Sequence, residues 1–391
     1  MTQFPYDHAV DPATVGMNAR KLARVVDKFR QQQLAGAFPG GQLVVRRNGK
    51  LVLNEAVGIA RGYRKDEAAS SVLVVPQTPF PCHSCGKPLA AIVVAMLEDR
   101  GKLDINAPIA EVIPEFGHNG KEQITTLDVL THRSGILMSH LAYKMELWND
   151  TQAMERELIA IAPSFPRGTL AYGPSEFGWI LSEIVKRVDG RGLPEYFAEE
   201  ICTPLGLPAL QFGLAGRSLN SLAHQYWLGK DKVMVAGFNA AYKFEELTNA
   251  QLYFDSLNPA FTLVTDAASL AAFYDFILNG GRAASGEQLI SERTLRQYTT
   301  RQVFGFDKSL KTFLAVGRGF LMGTFTPSFY GWWNTKQCFG HAGAFSCLAF
   351  GDYQTNVSVA IFTNGNRGIG DFMKRFMPLS HGIRKACLRS D

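Results

Sequence analysis

The strand-forming segments of this 391-residue chain lie near its two ends, and the sequence between them is mainly helical in pattern. Two alternating apolar runs meet at Asn48-Gly49, the strongest short signal for a β-hairpin. The predicted strands are 42–47, 51–57, 319–324, 346–350 and 356–363. Pairing of the early hairpin with the late strands would give one antiparallel sheet built from both chain ends, which is the sheet we expect.

The helical pattern predicts which segments flank this sheet and which segments form an inserted lobe. The predicted helices are 18–34, 89–97, 126–130, 176–188, 266–278 and 370–377. We therefore expect an α/β (α+β) fold, in which residues 1–78 and 291–391 form a sheet flanked by helices. Residues 79–290 would form an inserted, mainly helical lobe, with the active site in the cleft between the two parts.

Charge and composition argue against several classes of partner. The chain has 40 Lys and Arg against 35 Asp and Glu, and its densest basic stretches are short and interrupted. Nucleic-acid-binding proteins concentrate their charge on one stripe or helix, so we expect no nucleic-acid partner. The longest purely apolar stretch, 89–97, is about half of what a bilayer span requires, so we expect no membrane partner. The oligomeric state is not predicted.

The first residues and the cysteines suggest a compartment. The first 20 residues contain Asp7, His8 and Asp11 and lack a basic segment followed by an apolar run, so a cytoplasmic protein is expected. Its six cysteines would then be reduced thiols. Cys82 and Cys85 have the C-x-x-C spacing of redox and zinc sites, but no second close pair accompanies them. We expect buried thiols, no metal and no other cofactor.

Ser84 and Lys87 are the first residues with a chemical interpretation. They open the predicted helix 89–97 at i, i+3 spacing, which places their Cβ atoms about 5–6 Å apart on one face. This arrangement suits a serine nucleophile with an amine as its base. The amine must be neutral, and both burial and a helix N-terminus lower a lysine pKa. About one S-x-x-K is expected by chance in this composition, so the assignment depends on other residues.

Two further motifs can complete such a site. Tyr172 lies in a loop rich in Gly and Pro before the helix 176–188, where its phenol could pass the proton of the nucleophile to a leaving group. The alternative is a tyrosine that only packs the loop. His341-Ala342-Gly343 lies just before the predicted strand 346–350, where a backbone N–H could approach a substrate carbonyl. A lone histidine there is more often structural.

Together these motifs resemble those of the serine β-lactamase and penicillin-binding-protein superfamily, most closely its class C branch of esterases, D-aminopeptidases and lovastatin-type acyltransferases. The resemblance covers nearly the whole chain. It also includes the stretches 101–104, 126–135, 202–207 and 262–273.

The resemblance implies a role for each matching position. Ser84 would be the acylated nucleophile, Lys87 its base and Tyr172 the general acid and base. His341 stands where the third motif of the family has a lysine, followed by Gly343 in its usual place. The N–H groups of Ser84 and Ala344 would form the oxyanion hole. The stretch 126–135, with His132, would pack beneath the site.

Two departures from the family pattern bear on the substrate. The asparagine of the family's Y-x-N motif is replaced by Pro174, and the lysine of its K-T-G motif by His341. A β-lactam would thereby lose a hydrogen bond and an ion pair, each worth about 1–3 kcal/mol. Because an imidazole titrates near neutral pH, His341 also competes with Lys87 as the candidate base.

We therefore expect a serine hydrolase that forms an acyl-enzyme, most simply a carboxylesterase acting on small or medium apolar esters. The alternatives are an acyltransferase to an alcohol or amine in natural-product metabolism, a β-lactamase or D-amino-acid peptidase, and a non-catalytic binding protein. The expected ligand is a small-molecule ester or acyl donor. Trp332 and Trp333 could wall its pocket, unless they pack in the core. The same choice applies to the aromatic residues of 222–259, namely Tyr226, Trp227, Phe238, Tyr242, Phe244, Tyr253 and Phe254.

Overall fold

The computed structural model describes residues 4–67, 70–229 and 241–387. The strands are β1 (Gly40–Arg47), β2 (Lys50–Arg61), β3 (Val72–Leu73), β4 (Phe80–His83), β5 (Gln211–Phe212), β6 (Tyr226–Trp227), β7 (Leu263–Thr265), β8 (Val303–Asp307), β9 (Thr312–Val316), β10 (Leu321–Met322), β11 (Cys338–Gly343), β12 (Cys347–Asp352), β13 (Val357–Thr363) and β14 (Gly365–Asn366). The helices are α1 (Ala19–Leu34), α2 (Lys87–Asp99), α3 (Thr126–Leu130), α4 (Thr151–Ala160), α5 (Glu176–Asp189), α6 (Leu193–Phe197), α7 (Thr203–Leu205), α8 (Ala241–Thr248), α9 (Gln251–Asp255), α10 (Ala267–Leu278), α11 (Glu292–Tyr298) and α12 (Ile369–Cys387).

The two ends of the chain meet in one antiparallel sheet, as predicted. Its nine strands follow the order β3-β2-β1-β13-β12-β11-β10-β9-β8. The join between the early and the late strands is the pair β1–β13, in which Val44 lies opposite Ala360. The expected α/β (α+β) fold with a sheet built from both termini is therefore confirmed.

Helices α1 and α12 cover one face of this sheet. Leu22, Val25 and Phe29 of α1 are buried at i, i+3 and i+7 spacing, which is the stripe that predicted the helix. Helix α12 extends ten residues beyond its predicted end at 377, although Pro378 lies inside it. The cost of that proline is offset because the helix buries a further stripe, including Leu379 and Ile383, against the sheet.

Helices α2 and α10 form the buried layer on the other face. Both are mainly apolar, and every residue of α2 from Lys87 to Leu97 is buried. Helix α10 packs directly on strands β1, β12 and β13. It thus contacts the sheet although the prediction placed its residues in the inserted lobe, and the proposed boundaries at 78 and 290 stay a prediction.

The late strands differ in detail from the predicted ones. Only Leu321 and Met322 of 319–324 are paired, and the hairpin β8–β9 and the strand β11 were not predicted. Gly351-Asp352, which follows the predicted strand 346–350, belongs to the end of strand β12. Glycine-containing segments weaken the alternation on which strand prediction depends, and packing against neighbouring strands decides their structure.

All six cysteines are buried and unpaired. Within the described residues, no helix combines the length and the apolar character needed to cross a membrane.

Candidate active site

Ser84 lies at a strained junction between a strand and a helix. Strand β4 ends at His83, whose backbone has φ 48° and ψ −129°. Ser84, Cys85 and Gly86 then form a 3₁₀ turn, and α2 begins at Lys87. Ser84 is therefore on a tight turn and not on the α-helix that the sequence predicted. Positive φ in a residue other than glycine is costly and is typical of functional sites.

The side chain of Lys87 lies directly beside this serine. Its Nζ is 3.2 Å from Ser84 Oγ, and it donates to the carbonyl of Pro174 at 2.8 Å and of Ala260 at 3.1 Å. Lys87 is 0% exposed, and burial lowers its pKa to about 7. A neutral amine has two N–H donors and one lone pair. The two carbonyls accept the donors, so the lone pair remains for the hydroxyl of Ser84.

Asn258 joins the two loops that supply these carbonyls. Its Nδ2 donates to the carbonyl of Ser175 at 3.0 Å, and its Oδ1 accepts from the N–H of Ala260 at 2.9 Å. A Cβ atom at Gly178 would lie 1.8 Å from that same Oδ1, so glycine is required there. Asn258 is not among the predicted site residues, because nothing near it along the chain indicates this contact.

Tyr172 completes the polar group around the nucleophile. Its phenol is buried, and burial raises its pKa above the usual range although the side chain of Ser84 acts in the opposite direction, so the phenol stays protonated. Lys87 Nζ lies 5.0 Å from the centre of its ring. The structure thus brings the predicted nucleophile, base and general acid into one contact group.

His132 packs against Tyr172 from below. The two ring centres are 4.5 Å apart, and the N–H of Gly173 donates to His132 Nδ1 at 3.2 Å. Burial and the charge of Lys87 lower the pKa of His132 well below its usual value. A neutral imidazole in this place supports the phenol and its loop, in line with the structural role expected of this stretch.

His341 also lies at the site, but as a neutral and enclosed side chain. It belongs to strand β11, whereas the sequence placed it before a strand. Its Nδ1 contacts the carbonyl of Ala342 at 2.7 Å, and its ring centre is 6.0 Å from that of Tyr172. Its Nε2 is buried and has no partner among the described residues. Burial lowers the pKa to about 3, so the imidazole does not titrate near neutral pH as expected from its type.

The end of strand β11 packs tightly against the segment that carries the nucleophile. The 3₁₀ turn of Ser84, Cys85 and Gly86 is called the nucleophile turn. A Cβ atom at Gly343 would lie 2.1 Å from the carbonyl oxygen of Cys82 and 3.3 Å from Cys85 Sγ. The chain then turns sharply through Ala344 and Phe345, with φ values of 38° and 62°. The glycine at position 343 is thus a requirement of close packing. The oxyanion role of the N–H groups of Ser84 and Ala344 stays a prediction.

Glu176 is a buried carboxylate near the base, and it is not among the predicted site residues. Its Oε2 accepts from the N–H and the hydroxyl of Ser175, and its Oε1 is buried without a described partner. Burial raises the pKa of this carboxyl. Its negative charge acts on Lys87 against the larger effect of burial, so it favours the protonated amine.

The predicted aromatic wall divides into three groups. Trp227 and Phe244 pack against Ala344 and Phe345, beside the site. The buried residues Tyr226, Tyr253 and Phe254 are part of the core. Phe238 and the side chain of Tyr242 lie outside the described residues.

Trp332 and Trp333 are exposed, and the described contact of this stretch is with helix α12. Arg384 donates to the carbonyl of Trp333 at 3.0 Å. No described contact joins either indole to Ser84, so their place in the substrate wall stays a prediction.

Comparison with known proteins identifies the family. The sequence model of the Beta-lactamase family matches residues 22–378. Esterase/beta-lactamase LipL of Mycobacterium tuberculosis is 29% identical over 375 residues, which cover 88% of this chain and 81% of LipL.

Solved structures agree with this match. A penicillin-binding protein homologue from Caulobacter crescentus is 27% identical with a TM-score of 0.78, covering 95% of this chain and 99% of that one. A family VIII carboxylesterase shares the fold, with 22% identity, a TM-score of 0.77 and coverage of 93% and 99%. These matches confirm the resemblance predicted from the motifs. The chain belongs to the Beta-lactamase family and is a serine hydrolase of that fold.

Proposed function

We propose that this chain is a carboxylesterase that acts on small or medium apolar esters through an acyl-enzyme at Ser84. The observation that carries this proposal is the environment of Lys87. Its amine is enclosed, its two donors are taken by carbonyls, and its remaining lone pair faces the hydroxyl of Ser84 at 3.2 Å. A serine is activated as a nucleophile by such an adjacent base.

In the proposed reaction, Ser84, Lys87 and Tyr172 act first in acylation and then, with the proton transfers reversed, in deacylation. Ser84 Oγ attacks the ester carbonyl while its proton passes to Lys87 Nζ, and the tetrahedral intermediate forms. Tyr172 then donates its proton to the oxygen of the leaving alcohol as the carbon–oxygen bond breaks, and regains a proton from Lys87. Water attacks the acyl-serine with the same groups acting in reverse, which releases the acid and restores Ser84.

Two substitutions favour an ester over a β-lactam. His341 offers a neutral ring where a β-lactam carboxylate would need a cation, because burial keeps its pKa near 3. Pro174 has no side-chain amide, and its carbonyl already accepts from Lys87. The name of LipL contains both esterase and beta-lactamase, which supports testing the two activities side by side.

Intact mass spectrometry tests the proposal. The protein is incubated with p-nitrophenyl esters of increasing acyl length, with a thioester and with nitrocefin. We expect a covalent acyl adduct and faster turnover with the short and medium esters than with nitrocefin. Ser84→Ala should form no adduct, whereas Ser221→Ala, which changes an exposed serine, should behave as the parent.

The remaining alternatives give different results in the same assay. An adduct that is released faster by an added alcohol or amine than by water would favour acyl transfer. Equal kcat/KM values for nitrocefin and the esters would favour a β-lactamase. A folded protein that forms no adduct with any of these compounds would favour a binding protein and contradict the proposal.

A further inference from the structure

Three phenylalanine side chains lie exposed together on the β8–β9 hairpin. Phe304, Phe306 and Phe313 are 53%, 43% and 65% exposed. The rings of Phe304 and Phe313 stack with centres 5.8 Å apart, and Phe306 meets Phe313 edge-on at 5.5 Å. Contiguous apolar side chains at a protein surface mark an interaction site. These three residues are called the phenylalanine patch below.

The hairpin does not need these rings for its own packing. Side chains alternate across a strand, so Val303 and Leu314 point to the opposite face. There they pack against Leu170, Val316 and Leu321. The phenylalanine patch occupies the exposed face of the β8–β9 hairpin, and β8 is an edge strand of the nine-stranded sheet.

Cations surround the phenylalanine patch. Arg301 lies 6.0 Å from the ring centre of Phe304, and Lys308 lies 5.9 Å from that of Phe306. Lys311 is exposed in the turn of the hairpin. Between residues 301 and 316 the one acidic residue is Asp307, and it is buried. The hairpin therefore combines exposed aromatic rings with three cations and carries no exposed carboxylate of its own.

This combination fits an anionic lipid surface. Aromatic rings enter the boundary between headgroups and acyl chains, while lysine and arginine side chains remain at the anionic headgroups. We infer that the phenylalanine patch docks this protein on an anionic lipid–water interface. The expectation of no membrane partner came from the lack of a long apolar run, and side chains that alternate on a hairpin produce no such run.

The position of the hairpin connects this surface to the site. Asp307 accepts from the N–H of Tyr172 at 2.7 Å, and the N–H of Lys308 donates to the carbonyl of Leu170 at 2.9 Å. A lipid surface held by the phenylalanine patch would thus be separated by the hairpin from the loop that carries Tyr172.

Pairing with a second copy is the main competing use of an exposed edge strand. Charged side chains at an edge strand discourage such pairing, and β8 is flanked by Arg301 and Lys308. The same cations that favour an anionic lipid therefore disfavour a dimer formed along this edge.

Vesicle flotation tests the inference without requiring catalysis. Vesicles of phosphatidylcholine alone are compared with vesicles that also contain phosphatidylglycerol. The parent protein should float with the anionic vesicles, and Phe304→Ser/Phe306→Ser/Phe313→Ser should bind them at least about tenfold more weakly. The matched control is Val72→Ser/Leu73→Ser/Val75→Ser, which removes exposed apolar residues at the β3 edge of the same sheet. It should bind as the parent does.

A second variant keeps the test valid if the triple variant does not fold, as checked by circular dichroism. Lys308→Glu/Lys311→Glu should lose the preference for anionic vesicles. The inference is overturned if the parent binds neither kind of vesicle. It is equally overturned if the phenylalanine triple variant and the control triple variant at the β3 edge bind anionic vesicles equally well. It is also overturned if ultracentrifugation shows a dimer that the phenylalanine variant loses while vesicle binding is absent.

Discussion

The backbone N–H of Tyr172 donates to Oδ2 of Asp307 at 2.7 Å, although the two residues are 135 positions apart in the chain. The carbonyl of the same tyrosine accepts from the hydroxyl of Ser309 at 2.9 Å. Asp307 Oδ1 in turn accepts from the N–H groups of Ser309 and Leu310. The turn of the β8–β9 hairpin thus holds the backbone of the proposed general acid at both its donor and its acceptor.

We expect Asp307→Asn to lower kcat by about tenfold to a hundredfold while the protein stays folded. The amide keeps the shape of the carboxylate but loses acceptor capacity at one of its two oxygens, so Tyr172 is held less firmly. The measurement is steady-state hydrolysis of a p-nitrophenyl ester together with a thermal melt.

The matched control is Asp352→Asn, which changes another fully buried aspartate. Asp352 accepts from Arg384 at 2.8 Å and lies at the other end of strand β12 from the site. It should lower the melting temperature and leave kcat close to that of the parent. If the two variants lose the same fraction of kcat, Asp307 acts through stability alone and the positioning role is wrong.

The pH dependence should report Lys87. Because burial lowers the pKa of Lys87 to about 7, its lone pair is available above that pH and lost below it. The value of kcat/KM should therefore rise with pH through an apparent pKa near 7 that belongs to the coupled Ser84, Lys87 and Tyr172 unit. Lys87→Arg should be inactive at every pH, since a guanidinium stays protonated.

His341→Gln distinguishes the two candidate bases. With its pKa near 3, His341 remains neutral over the whole range of the profile. The variant should lower the rate and keep the acidic limb. A profile that becomes flat between pH 5 and 8 in this variant would identify the histidine as the base.

Removal of the Glu176 charge should shift the acidic limb of the pH profile of kcat/KM. The carboxylate favours the protonated amine of Lys87, so Glu176→Gln should lower the pKa of Lys87 further and shift the acidic limb of kcat/KM to lower pH. Glu183→Gln is the control, because this residue of the same helix pairs with Arg187 at 2.7 Å. A limb that shifts upward, or one that shifts equally in both variants, would contradict the assigned coupling.

The residues close together in the sequence were the ones that could be predicted. The i, i+3 spacing of Ser84 and Lys87 places their side chains in contact whether the turn is α or 3₁₀, so the motif predicted the contact despite the wrong helix type. The hairpin at Asn48-Gly49 was predicted for the same reason, since its turn is local. Strand alternation at the core also predicted that both chain ends share a sheet.

Long-range contacts were not predictable from one sequence. Asn258, Asp307 and Glu176 act on the site through partners far along the chain, and none of them has a local signal. Burial also changed the chemistry of a residue that was found correctly. The sequence placed His341 at the site but predicted an imidazole that titrates near neutral pH, because the burial of its ring is a property of the folded molecule.

Gly343→Ala tests whether the close packing of strand β11 on the nucleophile turn affects the reaction beyond its effect on stability. A Cβ atom at this position would lie 2.1 Å from the carbonyl oxygen of Cys82, so strand β11 and the nucleophile turn must move apart. We expect a loss of unfolding free energy of roughly 1–3 kcal/mol and a fall in acylation rate larger than this loss explains, since Ser84 is displaced from its partners. Gly370→Ala, in helix α12 where a Cβ atom meets nothing within 4 Å, is the control; it should leave the acylation rate unchanged and the unfolding free energy unchanged or slightly higher. Stopped-flow release of p-nitrophenol measures acylation, and urea unfolding measures stability. Should Gly343→Ala acylate at the rate of the parent, the close contact between strand β11 and the nucleophile turn would not be required for the reaction.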